Sequence, residues 1–259
     1  MFLLQKGIDR LDLLFKTASP NHEITVYDIS ELYGEKGRFR VLEFSNQAIQ
    51  GAMDLDEPAR ILFEYPRAMI HLIESNMPSF DRMFVIGHGI GTLAGHYAER
   101  RVKVAELDPT VVELSKTFFG YTQHNVSIGD GREILGNEEQ HAYDCIVLDA
   151  FTDKGTPHHL ISQPFFAMCR EKLDSSGMLM MNLFGKGEHD QLMNAIYTTL
   201  GEEFAYLKAF ALPSGGTSDI QNMILVGRNR PIGFQARQMA GFTEIEPGQG
   251  YVIRDRGSN

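Results

Sequence analysis

Two periodicities divide the chain. Over roughly the first sixty residues apolar and polar positions alternate. HEITVYDIS (22–30) and FRVLEFS (39–45) read as strands around the turn ELYGEKGR, and NQAIQGAMD (46–54) continues as a third, shorter one. The expectation is a small antiparallel sheet. Ahead of it, the leucines of MFLLQKGIDRLDLLF recur at helical spacing and predict a docking helix over 1–15. Behind it, DEPARILFEYPRAMIHLIESN predicts a helix, with Asp56 as cap and Pro58 in the first turn. Ile61, Leu62, Met69, Leu72 and Ile73 fall on one stripe. Pro66 lies inside this pattern and predicts a kink or a break.

From residue 82 onward the pattern changes. Short, continuously apolar runs alternate with helical segments: MFVIGHG, VKVAELD, NVSIGDG, YDCIVLDAF, GMLMMNLF, FAYLKAFAL and QNMILVG, with helices near 92–100, 109–119, 163–173 and 189–200. Apolar strands separated by helices are the signature of a parallel sheet covered on both faces. The last two strands are joined by a loop alone, PSGGTSDI, and are expected to pair antiparallel. The reading is an α/β fold, a doubly wound sheet ending in a hairpin. A β appendage over 1–56 is expected to precede the doubly wound domain over 57–259.

Charge narrows the function. With 24 basic and 34 acidic residues, the net charge of -10 argues against a nucleic-acid groove and suits a cationic small substrate. The opening segment is too short and too charged to span a membrane, and no small-residue cleavage site follows it, so a cytoplasmic protein is expected. Cys145 and Cys169 sit in apolar runs and read as core thiols. The adjacent pair His158 and His159 lacks further ligands at metal spacing, and no metal is expected.

The candidate chemistry gathers after the first four strands of the second region, where ligands bind in open α/β sheets. Gly87, Gly89 and Gly91 follow the first and open a helix; such a turn lets a ligand approach the backbone, although it also serves tight packing. His88, inside the turn, faces either the ligand or solvent. Glu106 follows at a spacing that suits both ribose hydroxyls, with Asp108 assigned to cap the helix at Pro109. Asp130 in GDGRE can accept from an adenine amino group, and Asp149 ends an apolar strand, a poor core choice without a functional partner. Acceptors for ribose and adenine without a pyrophosphate cradle suggest an adenosyl sulfonium.

In this arrangement the sequence resembles the spermidine synthase (polyamine aminopropyltransferase) family from about residue 23 to 227. The likeness rests on AIQ with Gln50, FEYPRAM with Tyr65, GHGIGT, AELDP, GDG and DAFTDKGTP. The resemblance implies a Rossmann-like sheet of the S-adenosylmethionine-dependent methyltransferase type and a homodimer. It implies that Gln50, Gly87, Gly89, Gly91, Glu106, Asp130 and Gly131 bind the donor, decarboxylated S-adenosylmethionine. Tyr65, Asp149 and Asp153 would bind the amine acceptor, with Asp149 the catalytic carboxylate and 152–160 a closing loop. No nucleic-acid or membrane partner is implied. Four positions depart from the family pattern: Ile90 stands for an aspartate, Pro66 for a histidine, Leu212 for a tyrosine, and Thr152 or Asp153 for the second loop aspartate. Alternative readings are an S-adenosylmethionine-dependent methyltransferase and a binding relative without catalysis.

Overall fold

The computed structural model describes residues 10–18, 23–44, 49–152, 155–187, 190–213 and 221–255. Four antiparallel strands form the first sheet, in the order β1 (Arg10–Ala18), β2 (Glu23–Leu32), β3 (Glu35–Phe44) and β4 (Ile49–Asp54). The segment read as a docking helix is, from Arg10 on, strand β1: its Lys16 and Thr17 pair with Thr25 and Ile24 of β2. Pairing with a long neighbouring strand outweighs a weak local periodicity. Residues 1–9 of that segment lie outside the described residues.

Helix α1 (Glu64–Asn76) begins eight residues later than Asp56, which neither caps nor enters it. Asp54 instead folds the chain back, accepting from the backbone N–H groups of Asp56 and Glu57 and from Arg60. Pro66 therefore falls in the first turn, where its missing N–H is not needed, and neither kinks nor breaks the helix.

The alternating region follows: β5 (Arg82–Ile86), α2 (Thr92–His96), β6 (Arg101–Glu106), α3 (Pro109–Phe118), β7 (Val126–Ile128), α4 (Gly131–Gly136), β8 (Tyr143–Leu148), α5 (Gln163–Lys172), β9 (Leu173–Gly185), α6 (Gln191–Gly201), β10 (Tyr206–Ala211), β11 (Gln221–Arg228) and β12 (Thr243–Ile245). The sheet order is β12-β10-β11-β9-β8-β5-β6-β7, with β9, β8, β5, β6 and β7 parallel. β10 and β11 make the expected antiparallel hairpin, and β11 also pairs antiparallel with β9. The fold is the expected methyltransferase-type doubly wound sheet with an antiparallel appendage.

Alternation along each strand feeds two cores. Met83 and Val85 face α1 and α2, while Phe84 and Ile86 face α4, α5 and α6. Cys145 and Cys169 are buried, and burial pushes both thiols up, as inert core residues require. Much of the appendage's apolar surface is buried within the chain. Ile24, Val26 and Leu42 bury against Val111, Leu114 and Phe119 at α3, and Tyr27, Ile29, Phe39 and Val41 form a cluster on the other side. Leu13 and Leu14 of β1 remain exposed. Arg40 reinforces the docking, holding Asp28 with two bonds and donating to the Phe118 carbonyl at 3.1 Å.

Candidate active site

Strand order reverses between β5 and β8, and there the backbone closes tightly. The Asp149 N–H donates to the Ile86 carbonyl at 2.8 Å, and Gly87 has φ 96°. A Cβ on Gly87 would lie 2.1 Å from the Asp149 carbonyl oxygen, so only glycine allows the first turn to meet the fourth strand. A cavity of about 500 Å³ opens at this switch point, between the two sheets.

On one side of the cavity stands Glu106, the last residue of β6. Its two carboxylate oxygens accept from the backbone N–H groups of His88 and Asp108, each at 2.9 Å. Burial raises its pKa, and these N–H bonds oppose that by favouring the charged form. A carboxylate has about four lone-pair positions, so two remain for hydroxyls of a bound sugar. Asp108 caps α3 as expected, accepting from Thr110 N–H at 2.9 Å.

Asp130 is more committed than its sequence context indicated. It caps α4, a short helix the sequence pattern does not predict, accepting from Arg132 and Glu133 N–H groups. Its second oxygen lies 2.8 Å from His159 Nε2. His159 thus stands beside Asp130; among the described residues no three His, Cys, Asp or Glu side chains gather in one place. Arg132, one residue beyond Gly131, donates to the His159 carbonyl and holds Asp255 through two bonds at 2.8 and 2.7 Å.

At the centre is Asp149. Tyr65 Oη donates to its Oδ2 at 3.1 Å and Asn182 Nδ2 to its Oδ1 at 2.9 Å, while Asn222 Nδ2 donates to Asn182 Oδ1 at 3.1 Å. Burial raises the Asp149 pKa, and the Asn182 and Tyr65 bonds pull it back. Burial, and then Asp149 itself, keep the Tyr65 phenol protonated by raising its pKa well above the ordinary range. The group is a carboxylate in a low-dielectric pocket with two fixed donors, poised to bind a cation and take a proton.

The cavity brings together Gln50, Tyr65, Gly87, Gly89, Glu106, Asp130, Gly131 and Asp149. Gly91 is not part of its wall. With φ 86° it turns toward Tyr121, where a Cβ would approach the ring to 2.4 Å, so its glycine serves packing. Asp153 lies outside the described residues. His88 is buried, not a surface histidine: its Nε2 lies 2.8 Å from Ser115 Oγ, and its ring meets Tyr121 edge-on. Because Ser115 Oγ donates to the Val112 carbonyl, His88 carries its proton on Nε2. Burial, with Lys116 assisting, lowers its pKa to about 4.

Asn182 and Asn222 were missed by sequence reasoning. The available signal was a lone amide inside each of two apolar runs, GMLMMNLF and QNMILVG; a buried amide needs a partner. The aromatic walls of Tyr33, Phe63, Phe151 and Phe184 were missed too.

Comparison with known proteins bears on this geometry. The family model for the spermine/spermidine synthase domain matches residues 62–217. Over 183 residues the chain is 30% identical to a polyamine aminopropyltransferase of Vibrio vulnificus (strain CMCP6), covering 66% of this chain and 61% of that protein. It is 25% identical over 178 residues to putrescine N-methyltransferase 2 of Nicotiana attenuata, covering 64% of this chain and 44% of the other. The chain spans about three fifths of the length of the first curated relatives it matches. In fold it is similar to the crystal structure of a probable spermidine synthase from Corynebacterium glutamicum ATCC 13032. The TM-score is 0.80 at 17% identity, with 95% and 97% of the two chains covered.

Proposed function

The chain belongs to the spermine/spermidine synthase family, and from that premise we propose that it transfers an aminopropyl group from decarboxylated S-adenosylmethionine to an amine. The observation that carries the reading is Asp149: a buried carboxylate at the switch point, held by Tyr65 and Asn182, in the same cavity as Glu106.

Glu106 takes the ribose hydroxyls on its two remaining lone-pair positions, and Asp130 and Gly131 face the adenine. Gln50 and Gly89 border the rest of the donor. An amine with pKa near 10 arrives as an ammonium, and Asp149 pairs with it in a pocket where an unpaired cation is costly. Asp149 takes a proton from the ammonium, and the lone pair so freed on nitrogen bonds to the carbon next to the sulfonium. The carbon–sulfur bond breaks with its electrons passing to sulfur, and neutral methylthioadenosine leaves. Tyr65 and Asn182 hold the carboxylate in place, so the protein mainly orients and deprotonates. A cytoplasmic homodimer is the setting the family resemblance supports.

The test is Asp149→Asn, which keeps shape while removing charge and base. Methylthioadenosine release should fall by about a hundred- to ten-thousandfold, with methylthioadenosine affinity little changed. A variant as fast as wild type would refute the assignment of the base.

One observation favours a second reading. Ile90, at the position of a family aspartate, packs against Gly51 and the apolar cluster at α3. No acid at that position repels a methionine carboxylate, which suits S-adenosylmethionine itself and methyl transfer. Titration with S-adenosylmethionine, its decarboxylated form and methylthioadenosine separates the two. Ile90→Asp should shift preference toward the decarboxylated donor by supplying its free amine with a partner. Preference of wild type for S-adenosylmethionine, with methylation of an amine, would replace the aminopropyl reading.

A further inference from the structure

Asp130 is held from more sides than its own helix provides. Its Oδ1 accepts from the N–H groups of Arg132 at 2.9 Å and Glu133 at 3.1 Å, and its Oδ2 lies 2.8 Å from His159 Nε2. A carboxylate offers no proton, so His159 is the donor in that bond. With both oxygens engaged the carboxylate cannot turn, and a lone pair of Oδ2 remains for a ligand. Both residues line the cavity, His159 from the short helical turn His158–Leu160.

His159 is held in turn by residues outside the cavity wall. Arg132 Nη1 donates to the His159 carbonyl at 2.9 Å and to Asp255 Oδ1 at 2.8 Å, and its Nη2 donates to Asp255 Oδ2 at 2.7 Å. The planar guanidinium grips the carboxylate as a fork, which fixes orientation as well as distance. The Arg132 bonds hold the Asp255 carboxyl down at about 2, so the clamp is charged at neutral pH. Asp255 also accepts from Ser162 Oγ at 2.6 Å, and the Ile253 carbonyl accepts from the Gln163 N–H at 2.8 Å. The Ile253 N–H donates to Thr199 Oγ1 at 2.9 Å. Ser162 and Thr199 are both fully buried. The segment carrying Asp255 is therefore anchored to α5 and α6, and it braces the turn that presents His159.

We propose that His159 is a positioning residue for base selection. Clamped through Arg132 and Asp255, it fixes Asp130 Oδ2 to accept from the amino group of adenine and to refuse a purine with an oxo group there. The inference rests on the proposed nucleoside site, in which Asp130 faces the adenine. An oxo group would set acceptor against acceptor, but the oxo base offers a ring N–H beside it. A carboxylate free to turn could reach that N–H; one held at both oxygens cannot. Selection thus depends on the hold as well as on the acid.

Calorimetric titration of the full chain with methylthioadenosine and with methylthioinosine, which carries the oxo group, reads selection as a ratio of affinities. Wild type should prefer methylthioadenosine by about a hundredfold or more, since a site built around a donor rejects the analogue lacking it. His159 is half-exposed, so its replacement spares the core. His159→Ala should lower the ratio by about tenfold, the scale of one hydrogen bond. His159→Gln, whose amide can take the place of the ring N–H, should keep most of it. Asp255→Asn leaves an acceptor for Ser162 but breaks the charged fork. It should lower the ratio too, and add nothing in the His159→Ala background.

A wild type that binds neither nucleoside, or both alike, overturns the adenine reading and the inference with it. A selective wild type whose ratio survives His159→Ala overturns the inference alone. Equal loss of both affinities in that variant, with the ratio kept, marks a purely structural histidine and has the same result. An Asp255→Asn effect that persists undiminished in the His159→Ala background overturns the clamp.

Discussion

Replacing Asn182 with leucine tests how the centre of the site is held. Asn182 is 1% exposed and makes two bonds, donating to Asp149 Oδ1 at 2.9 Å and accepting from Asn222 Nδ2 at 3.1 Å. Leucine shares the branched skeleton but is larger, so the change opens no cavity and adds some overpacking to the cost. It removes a bond to a carboxyl group, worth about 1.5–3 kcal/mol, and leaves the Asn222 amide unpaired, at about 1–3 kcal/mol. Burying the apolar side chain returns about 1–2 kcal/mol, so a net loss of about 0.5–5 kcal/mol is expected. Urea denaturation at neutral pH measures it. The second effect is on titration. Asn182 is the stronger of the two donors that lower the Asp149 pKa, so its removal lets burial push that carboxyl further up. A base must be ionised to act, so the acid limb of the pH–rate profile for methylthioadenosine release should move to higher pH. A loss under about 0.5 kcal/mol together with an unmoved acid limb would refute the positioning role of Asn182.

Glu106→Gln should weaken methylthioadenosine binding by about 1–3 kcal/mol in calorimetric titration; unchanged affinity in a folded variant would move the ribose acceptor elsewhere. Because Gln would also turn an amide toward the His88 or Asp108 N–H, a lower melting temperature should accompany the loss. His88 predicts a pH dependence of stability. Its folded pKa of about 4 lies below its ordinary 6.5, so its contribution is intact above the unfolded value and is lost as pH falls through the folded one. Wild type should therefore lose up to about 1.4 kcal/mol per pH unit more than His88→Gln over that window; equal slopes would refute a buried neutral imidazole.

The parallel part of the fold was legible because its strands are buried on both faces and read as continuous apolar runs. MFVIGHG, VKVAELD and YDCIVLDAF each form a strand that ends at or one residue before a candidate site residue. The margins were less legible. β1 was mistaken for a helix because its leucines fit either period over so short a span, and its pairing with β2 is a long-range fact. The start of α1 was misplaced because Asp56 and Pro58 imitate a cap, whereas Asp54 and Arg60 hold that segment as a turn. The acids of the site announced themselves by ending apolar strands. Asn182, Asn222 and the aromatic walls did not, since a ring beside a pocket and a ring in a core look alike in sequence.

Tyr33 and Phe63 reach the cavity from the β2–β3 hairpin and the stretch before α1, whereas Glu106 and Asp130 reach it from the end of β6 and the start of α4. On the proposed function, these groups lie on separate segments of the chain. The hairpin tip and the stretch before α1 can be rewritten like the bit of a key, while the nucleoside grip and the proton acceptor remain as they are. Exchanging these two short stretches is accordingly the economical route to a new amine on this scaffold.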